Sequence, residues 1–382
     1  MKVGGDRIQR VEGFEIGCDL PEPMGNALRT FTRRSVLLLR ITTFGGLTGW
    51  GETWAFPEPA GAFIRKVLAP EILGADATAP RALHAAMMQR VVPDRRGLAV
   101  MAVSAVDIAA WDAFGHAVGL PIGALLGGTV RPELTAYASG PLLPEGPDRY
   151  RELAVEIEGY LGMGFKAVKI RAGLGPEEDE RAIRRVRNLI GPQVALMVDL
   201  NEASNLRDTQ ALASRTADVG LSWIEEPVRH DDLPSYRRLA ETLSVRVAGG
   251  ESFCGVQAFR DPLAMQALDV IQPDVALCGG ISETVLIAGL AEAFGVPLIP
   301  HVWGGPVNFL AAMQVAAAFP GSAGQGLPQL ECDMSHNPFR DRIISPEPDR
   351  DGTISVPGEP GLGTAIDIEK LSDFVTGHWV LE

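Results

Sequence analysis

Short apolar runs alternate with longer amphipathic segments from residue 128 to residue 350, and this alternation restricts the fold more than any other feature of the chain. The segments between the runs, such as "PEEDERAIRRVRNLIG", have the apolar spacing of helices. Strands that alternate with helices form a parallel sheet, and eight such units predict an α/β fold with a closed (β/α)8 barrel of the TIM type. The eight runs with the length and composition of buried strands are "LTAYASG", "KAVKIRAG", "ALMVDLN", "LSWIEEP", "VRVAGGE", "DVIQPDV", "PLIPH" and "LPQLECD".

A doubly wound open sheet is the alternative for the same alternation. That fold carries a glycine-rich phosphate-binding loop directly after its first strand. The sequence that follows "LTAYASG" has no such loop. The barrel is therefore the preferred interpretation.

The N-terminal part of the chain is organised differently. The stretch "SVLLLRITTFGGLTGWGET" contains two strand-like runs that meet at Gly45 and Gly46, a pattern typical of a β-hairpin. The Ala-rich "LAVMAVSAVDIAAWDAFGHAVG" has apolar residues three and four apart, which indicates a helix. We predict an α+β capping domain over 1–127, the barrel over 128–350, and a C-terminal tail over 351–382 that packs on the cap.

Charge and composition restrict the partners of the chain. The formal net charge of −14 argues against a nucleic acid or an anionic membrane as partner. The start of the chain does not have the pattern of a signal peptide, and no uncharged apolar stretch reaches the roughly 18 residues of a membrane span. The cysteines lie far apart without a CxxC pair, which indicates free thiols. We expect a cytoplasmic protein that acts on a small molecule.

Three acids follow three consecutive predicted strands in the same phase. Asp199, Glu225 and Glu251 are 26 residues apart in each case, the length of one strand–helix unit. Each acid alone is more simply explained as a helix cap or part of a solvated loop. Parallel strands end at one rim of a barrel, however, so the three carboxylates should converge there, where they cannot all ionise without a cation. Such an oxygen set favours Mg²⁺, whereas the histidines lack the spacings of a zinc site.

Other charged side chains are predicted at the same rim. Asp274 ends the sixth strand and His301 the seventh, and an acid that orients an imidazole is the usual arrangement of a general base. Glu331 ends the eighth strand. Lys169 and Arg171 alternate along the second strand, so both point to one face, towards the acids.

Taken together, these motifs resemble the enolase superfamily, specifically its mandelate racemase subgroup. "VKIR" is similar to the lysine-x-lysine motif, and "VDLN", "WIEEP" and "GGES" are similar to the segments that carry the three metal ligands. "PD" with "PHVWG" resembles the Asp–His dyad, and "LECD" resembles the segment with the acid of the eighth strand. The resemblance covers essentially the whole chain, from the cap to the returning tail.

The resemblance implies a reaction and a role for the predicted site residues. Asp199, Glu225 and Glu251 would bind Mg²⁺, and removal of the proton α to a substrate carboxylate would give an enediolate held by the metal. Glu331, if protonated, would donate a hydrogen bond to the same carboxylate. The remaining candidates are supports of the ligands and walls of the pocket, namely Asn201, Glu226, Trp54 and Trp303, together with the loop at 19–31.

One position departs from the motif of the family. The second lysine of the motif is usually a base, but Arg171 occupies this position and cannot readily accept a proton. We expect Arg171 to depress the pKa of Lys169, so that this lysine is partly neutral and remains an alternative base. His301 would then act alone on one face of the substrate, which disfavours racemisation. The relatives that place a lysine on the sixth strand are also disfavoured, because the chain has no lysine between Lys169 and Lys370.

The leading hypothesis is therefore a lyase or isomerase of an acid sugar or its lactone. "PHVWG" and "LECDMSHNPFR" are similar to sequences of acid-sugar dehydratases and sugar-lactone cycloisomerases. The alternatives are a two-base racemase or epimerase of a 2-hydroxy acid, a non-catalytic barrel that binds sugar acids, and a metal-dependent hydrolase. The predicted partner is a small-molecule carboxylate, and we expect a homo-oligomer.

Overall fold

The computed structural model describes residues 6–319 and 326–382. The strands of this part of the chain are β1 Ile8–Gly25, β2 Thr30–Thr43, β3 Thr48–Thr53, β4 Glu133–Ser139, β5 Leu143–Pro144, β6 Ala167–Arg171, β7 Ala195–Asp199, β8 Leu221–Glu225, β9 Arg246–Gly249, β10 Val270–Ile271, β11 Leu330–Asp333, β12 Thr353–Ser355 and β13 Val375–Leu381.

The α-helices are α1 Pro57–Phe63, α2 Ala69–Ile72, α3 Pro80–Arg90, α4 Leu98–Val118, α5 Ile122–Leu125, α6 Leu153–Gly162, α7 Pro176–Ile190, α8 Leu206–Arg215, α9 Leu233–Thr242, α10 Val256–Ala264, α11 Gly280–Phe294, α12 Pro306–Ala318 and α13 Pro338–Asp341. A π-helical turn, Ile64–Leu68, joins α1 to α2, and a 3₁₀ segment, Ile368–Phe374, precedes β13.

An antiparallel sheet forms the N-terminal part of the protein. Its strands are arranged in the order β13-β1-β2-β3, and β5 pairs with β1. The turn between β2 and β3 closes at Gly46, which has φ of 82° and donates its N–H to the Thr43 carbonyl at 3.0 Å. This is the hairpin that the sequence predicts, since a positive φ at the turn favours glycine.

A curled parallel sheet forms the second part. Its strands follow the order β10-β9-β8-β7-β6-β4-β11, with parallel pairing throughout this path. β11, the last strand of this path along the chain, pairs with β4, the first, and this pairing curls the sheet into a barrel. The predicted α/β fold class, a barrel of this type with an N-terminal antiparallel unit, is confirmed.

The seventh predicted strand is much shorter than the sequence suggests. The segment "PLIPH" is reduced to two isolated parallel bridges, between Leu298 and Ile271 and between His301 and Asp274. Pro297 and Pro300 lack the N–H that a regular ladder needs. The remaining amides still bond: Ile299 N donates to the Ile271 carbonyl at 3.0 Å.

Helix α4 packs against the antiparallel sheet. Gly49 and Gly51 of β3 lie so close to it that a Cβ at either would overlap the backbone carbonyl of Ala109 or Ala105. The helix is long and apolar enough to cross a membrane by length and composition, but 83% of its most apolar window is buried inside the protein. It is therefore a core helix.

The C-terminal residues contact both sheets. β13 pairs antiparallel with β1, as expected for a tail that packs on the cap. The preceding β12 pairs antiparallel with the barrel strand β4, a contact that the sequence did not predict. The exact bounds of the three predicted units and the oligomeric state stay predictions.

Buried polar contacts connect the antiparallel unit to the barrel. Arg34 of β2 is 2% exposed and lies 2.6 Å from the Asp333 carboxylate at the end of β11. The buried carboxylate of Glu52 accepts N–H groups of residues 305, 307 and 308 at the start of α12, at 2.5–3.1 Å. These contacts fix the β3 end of the antiparallel unit over the strand ends of the barrel.

Candidate active site

The register of the parallel strands aligns the charged side chains of the rim. Arg171 lies beside Asp199, and Asp199 lies beside Glu225, because each pair occupies matching positions at the ends of neighbouring strands. Glu251 follows two residues after the end of β9. The residues that share a phase in the sequence therefore lie together at one rim of the barrel.

Asp199, Glu225 and Glu251 form one carboxylate cluster. One oxygen from each can be chosen so that all three lie within 4.8 Å of one another. Burial, together with repulsion from neighbouring carboxylates, raises the pKa of all three acids, although nearby cations oppose this. A cluster of this kind is stabilised by a cation.

The donor set of this cluster fits a magnesium ion. Carboxylate oxygens are the ligands that Mg²⁺ prefers. The Oε2 atom of Glu251 is buried without a hydrogen-bond partner among the described residues, and is available as a ligand. The other acids are held in place: Asn201 donates to Asp199 at 2.8 Å and 3.0 Å, and Gln272 donates to Glu225 at 2.7 Å.

Lys169 is a cation within this cluster. Its Nζ contacts Glu225, lies 2.8 Å from Glu331, and is 3.9 Å from Asp199. Burial opposes the charge, but the surrounding carboxylates outweigh burial and the repulsion from Arg171, and they raise the pKa of Lys169. The prediction of a partly neutral Lys169 is wrong for this structure, because the lysine has more acidic neighbours than the sequence indicates.

Arg171 pairs with a proposed metal ligand. Its Nη1 lies 2.6 Å from Asp199 Oδ2, and the residue is 6% exposed. Burial opposes ionisation of the guanidinium, yet Asp199 and other acids raise its pKa further. Arg171 therefore stays charged, as predicted from its chemistry.

Glu331 is an acceptor in this structure. Its Oε2 accepts the Val302 N–H at 3.1 Å. Burial favours the neutral form, but the charges of Lys169, His301 and Arg171 outweigh it and lower the pKa of Glu331 to about 2. The prediction that a protonated Glu331 donates a hydrogen bond is thus wrong here, because the neighbouring cations keep the group ionised.

Asp274 and His301 form the predicted pair. His301 Nδ1 lies 2.7 Å from Asp274 Oδ2, and His301 Nε2 lies 3.3 Å from Glu251 Oε2. Burial opposes protonation of the ring, but Glu251, Glu331 and Asp274 outweigh it and raise the pKa of His301 to about 10. Asp274 holds Nδ1, so Nε2 is the atom that faces the carboxylate cluster.

Two residues that the sequence did not single out for this role orient Asp274. Trp54 Nε1 donates to Asp274 Oδ2 at 2.9 Å, and Asn308 Nδ2 donates to both carboxylate oxygens at 3.2 Å and 3.3 Å. The sequence predicts Trp54 only as a support or wall of the pocket. Asn308 lies in the first turn of α12 and carries no local sequence signal.

Of the other predicted pocket and support residues, one lines the cavity and one is buried beside the carboxylate cluster. Trp303 lines the cavity and stacks on Arg34, whose guanidinium carbon is 3.8 Å from the ring centroid. Glu226 is buried next to the cluster, where burial and the neighbouring acids raise its pKa well above the usual range. Its only hydrogen-bond donor among the described side chains is Ser252, at 3.5 Å, so it does not directly support a ligand.

A cavity of about 510 Å³ lies over the rim. Its barrel wall includes His301, Glu251 and Asn201, and its other wall includes Trp54 and the start of β2. The space is large enough for a sugar-sized molecule. His301 and one acid of the carboxylate cluster, Glu251, thus line one cavity.

Sequence matches assign the chain to a family. Residues 12–127 match the mandelate racemase / muconate lactonizing enzyme N-terminal domain, and residues 152–371 match the enolase C-terminal domain-like family. Together these matches cover most of the chain. The chain belongs to the mandelate racemase / muconate lactonizing enzyme family of the enolase superfamily.

Curated relatives of the chain include two enzymes named for acid sugars or their lactones. The chain is 36% identical over 360 residues to a D-galactarolactone cycloisomerase from Agrobacterium fabrum, covering 93% of this chain and 95% of the relative. It is 33% identical over 336 residues to an arabinonate dehydratase from Saccharolobus solfataricus, covering 87% and 88%. The relatives are enzymes, and so is this member of the family.

Solved structures of the superfamily have the same fold. The 3,6-anhydro-D-galactonate cycloisomerase from Zobellia galactanivorans matches with a TM-score of 0.87 and 31% identity, over 97% of this chain and 100% of the other. A racemase from Streptomyces coelicolor with bound magnesium matches with a TM-score of 0.87 and 27% identity, over 97% and 100%.

Proposed function

We propose that this enzyme binds Mg²⁺ and removes the proton α to the carboxylate of an acid sugar or its lactone, with loss of the β-oxygen as water or as the ring oxygen of the lactone. The observation that carries this proposal is the carboxylate cluster Asp199, Glu225 and Glu251, which lies directly beside the Asp274–His301 pair. We propose a cytoplasmic enzyme with a small-molecule carboxylate as its partner.

Asp199, Glu225 and Glu251 would hold the metal. The ion, when bound, supplies Lewis-acid stabilisation of negative charge that develops on the substrate carboxylate. Lys169 and Arg171 contribute fixed positive charge on the same side, since both are paired with acids of the cluster. Glu331, as an acceptor, holds Lys169 at 2.8 Å.

His301 would remove the proton with Nε2. Asp274 occupies Nδ1 and fixes the ring, in the manner of a base with an orienting acid. The negative charge of Glu251, whose Oε2 lies 3.3 Å from Nε2, favours the protonated ring in this structure. If Glu251 held a metal ion, less of its negative charge would act on the ring, and the pKa of His301 would be lower, towards the range in which imidazole accepts a proton. The same group can then protonate the departing β-oxygen.

Only one face of the substrate would have a base. Arg171 occupies the position of the family's second lysine, and Lys169 is a buried, paired cation. Neither can readily accept a proton, so the two-base racemase remains the less favoured alternative. A non-catalytic sugar-acid binder would bind the same compounds without exchanging their α-proton.

Proton exchange in heavy water tests the proposal. The enzyme with Mg²⁺ should be screened against acid sugars and their lactones, with NMR detection of the α-position and of products. We expect deuterium to enter from one face, a 2-oxo product to form, and the α-epimer not to accumulate. Interconversion of two α-epimers at comparable rates would establish the racemase alternative. Absence of exchange for every bound acid sugar would favour the binder.

A further inference from the structure

The charge around the cavity is opposite to the charge of the whole chain. The chain has a formal net charge of −14, but among the residues that the structure describes five arginines and a single acid, Glu251, line the cavity. The five are Arg29, Arg33, Arg34, Arg96 and Arg171. A cavity lined in this way attracts anions.

Three of these arginines are already neutralised by protein carboxylates. The pairs are Arg171 with Asp199 at 2.6 Å, Arg34 with Asp333 at 2.6 Å, and Arg33 with Asp19 at 2.7 Å. Their charges are largely balanced within the protein. They therefore do not by themselves explain the excess of positive charge at the cavity.

Arg29 and Arg96 have no ion pair among residues 6–319 and 326–382. Both belong to the antiparallel unit, Arg29 between β1 and β2 and Arg96 between α3 and α4, so they lie on the cavity wall that does not carry the metal-binding acids. The backbone at Arg29 is fixed, because Asn26 Oδ1 accepts its N–H at 3.1 Å and Asn26 N donates to its carbonyl at 3.0 Å. Both residues are exposed, so two guanidinium groups without an ion pair, from separate segments, line one cavity.

We propose that Arg29 and Arg96 form a second anion site, which recognises a carboxylate at the far end of the substrate. This inference rests on the proposed function, in which the carboxylate next to the reacting proton is held at the barrel rim. The preferred substrate is then a sugar diacid or its monolactone, rather than a sugar acid with a single carboxylate. Arginine suits this role because its planar fork pairs with both oxygens of a carboxylate.

The site also suits the chemistry of a lactone. When the α-proton moves to His301, the C–H electron pair forms the new double bond and the β C–O bond breaks. If that oxygen belongs to the lactone ring, it departs with the electron pair of the C–O bond as a carboxylate. A new negative charge then appears at the end of the substrate distant from the metal, where Arg29 and Arg96 can pair with it. In a diacid the same carboxylate is present from the start.

Matched variants test the second anion site. The double variant Arg29→Gln/Arg96→Gln removes the two cavity charges, and Arg181→Gln/Arg185→Gln removes two exposed charges of α7 that have no ion pair among the described residues. The ligands are hexarates, hexonates of the same configuration, and hexonate 6-phosphates. Dissociation constants are measured by calorimetry, and kcat/KM is measured for every acid that is turned over.

We expect the parent and the α7 control to bind a hexarate at least about tenfold more tightly than the matching hexonate, since each charged hydrogen bond lost commonly costs this much. The cavity variant should lose this preference and bind the hexonate within about threefold of the parent. The preference should also fall as salt is added.

Equal binding of hexarate and hexonate by the parent, or an unchanged preference in the cavity variant, would overturn the second site. Preference for the 6-phosphate over the hexarate would overturn its assignment to carboxylate. The binding comparison needs no turnover, so it decides on this site even if no acid sugar exchanges its proton, a result that would count against the proposed function alone.

Discussion

At the scale of single residues, the carboxylate cluster places three negative charges close together, and their repulsion would be unfavourable without nearby cations. Asp199, Glu225 and Glu251 are close together and mostly buried, and Lys169 and Arg171 are the protein's own counter-ions. The three acids nevertheless keep raised pKa values, because burial outweighs the attraction to the cations. Replacing one acid should therefore relieve repulsion while removing a ligand.

The first prediction concerns this metal site. Asp199→Asn, Glu225→Gln and Glu251→Gln should each weaken Mg²⁺ binding by at least about tenfold and abolish turnover, because a neutral amide is a poorer ligand for a hard cation. The fold should persist, because the repulsion relieved among the acids offsets part of the attraction lost to Lys169 or Arg171, and both cations keep other acids nearby. Calorimetric titration with Mg²⁺ and circular dichroism check both statements. Parental Mg²⁺ affinity in two of the three variants would contradict the assignment.

The second prediction separates the base from the residue that orients it. His301→Asn should lower the rate of α-proton exchange by roughly 10²-fold or more, the usual effect of removing a general base. Asp274→Asn should lower it less, because Asp274 acts through the ring. Asn308→Ala should have a smaller effect still, because it removes only a hydrogen bond to Asp274. Parental exchange by His301→Asn would instead assign the base to Lys169.

At this scale, the sequence predicts the role of a residue when that role follows from its position at the end of a strand. The cluster and the Asp–His pair follow from strand ends, and Gln272 could have been found in the same way, because it precedes Asp274 by two residues and shares its face. The charge states of Lys169 and Glu331 do not follow, because they depend on distances between strands. Arg29 and Arg96 lie in loops, where spacing carries no information about a shared cavity.

At the scale of elements, close backbone contact between β3 and α4 is the most demanding feature of the antiparallel unit. The glycines of β3 allow the helix to approach the strand directly. The glycines of β3 are visible in the sequence, but the sequence does not show which helix they contact. The shortened seventh strand is a similar case. Its prolines are visible in the sequence, but their effect on the hydrogen bonds of the sheet depends on the neighbouring strand.

The third prediction tests this contact. Gly51→Ala should lower the free energy of unfolding by about 3 kcal/mol, because its Cβ would overlap the backbone of α4 and neither element can move independently. The matched control is Gly289→Ala in α11, where no atom lies within 4 Å of the added Cβ. The control should be stabilised by about 1 kcal/mol through helix propensity. Urea denaturation measures both, and equal stability of the two variants would exclude the close contact.

At the scale of the whole molecule, the two sheets are joined through buried polar groups. Arg34 and Asp333 are both buried, and Arg34 also donates to Ser335 at 2.5 Å and to the Gly304 carbonyl at 3.1 Å. Burial opposes ionisation of Asp333, but Arg34 and Arg340 outweigh it and lower its pKa. This pair lies at the end of β11, next to the cavity.

The fourth prediction is a double-mutant cycle across this junction. Arg34→Met and Asp333→Asn should each lower the free energy of unfolding by about 3 kcal/mol, because each leaves a buried polar partner unpaired. The double variant should lose less free energy of unfolding than the sum of the two single losses, by more than about 1 kcal/mol. Arg237→Met is the control, since its pair with Glu241 is exposed and should contribute about 0.5 kcal/mol or less.

The pH dependence of the same cycle has a defined sign. The pKa of Asp333 is lower in the folded protein than in the unfolded chain, so its contribution is present above the ordinary aspartate pKa of about 4 and is lost as the pH falls below it. The difference in free energy of unfolding between the parent and Asp333→Asn should therefore be constant near neutral pH and become smaller in acid. Additive losses, or a difference that grows in acid, would contradict the buried ion pair.

The shortened seventh strand has a consequence for how this protein can change. Prolines remove amides from the segment before His301, and Val302 N donates instead to the Glu331 side chain at 3.1 Å. Glu331, which also pairs with Lys169 beside the carboxylate cluster, thereby connects the segment of the seventh strand to β11. Random replacement of Glu331 in a library would be selected for folding and for turnover at once, and the two requirements could not be optimised separately. New specificities should therefore arise more readily from the loops of the antiparallel unit than from this position.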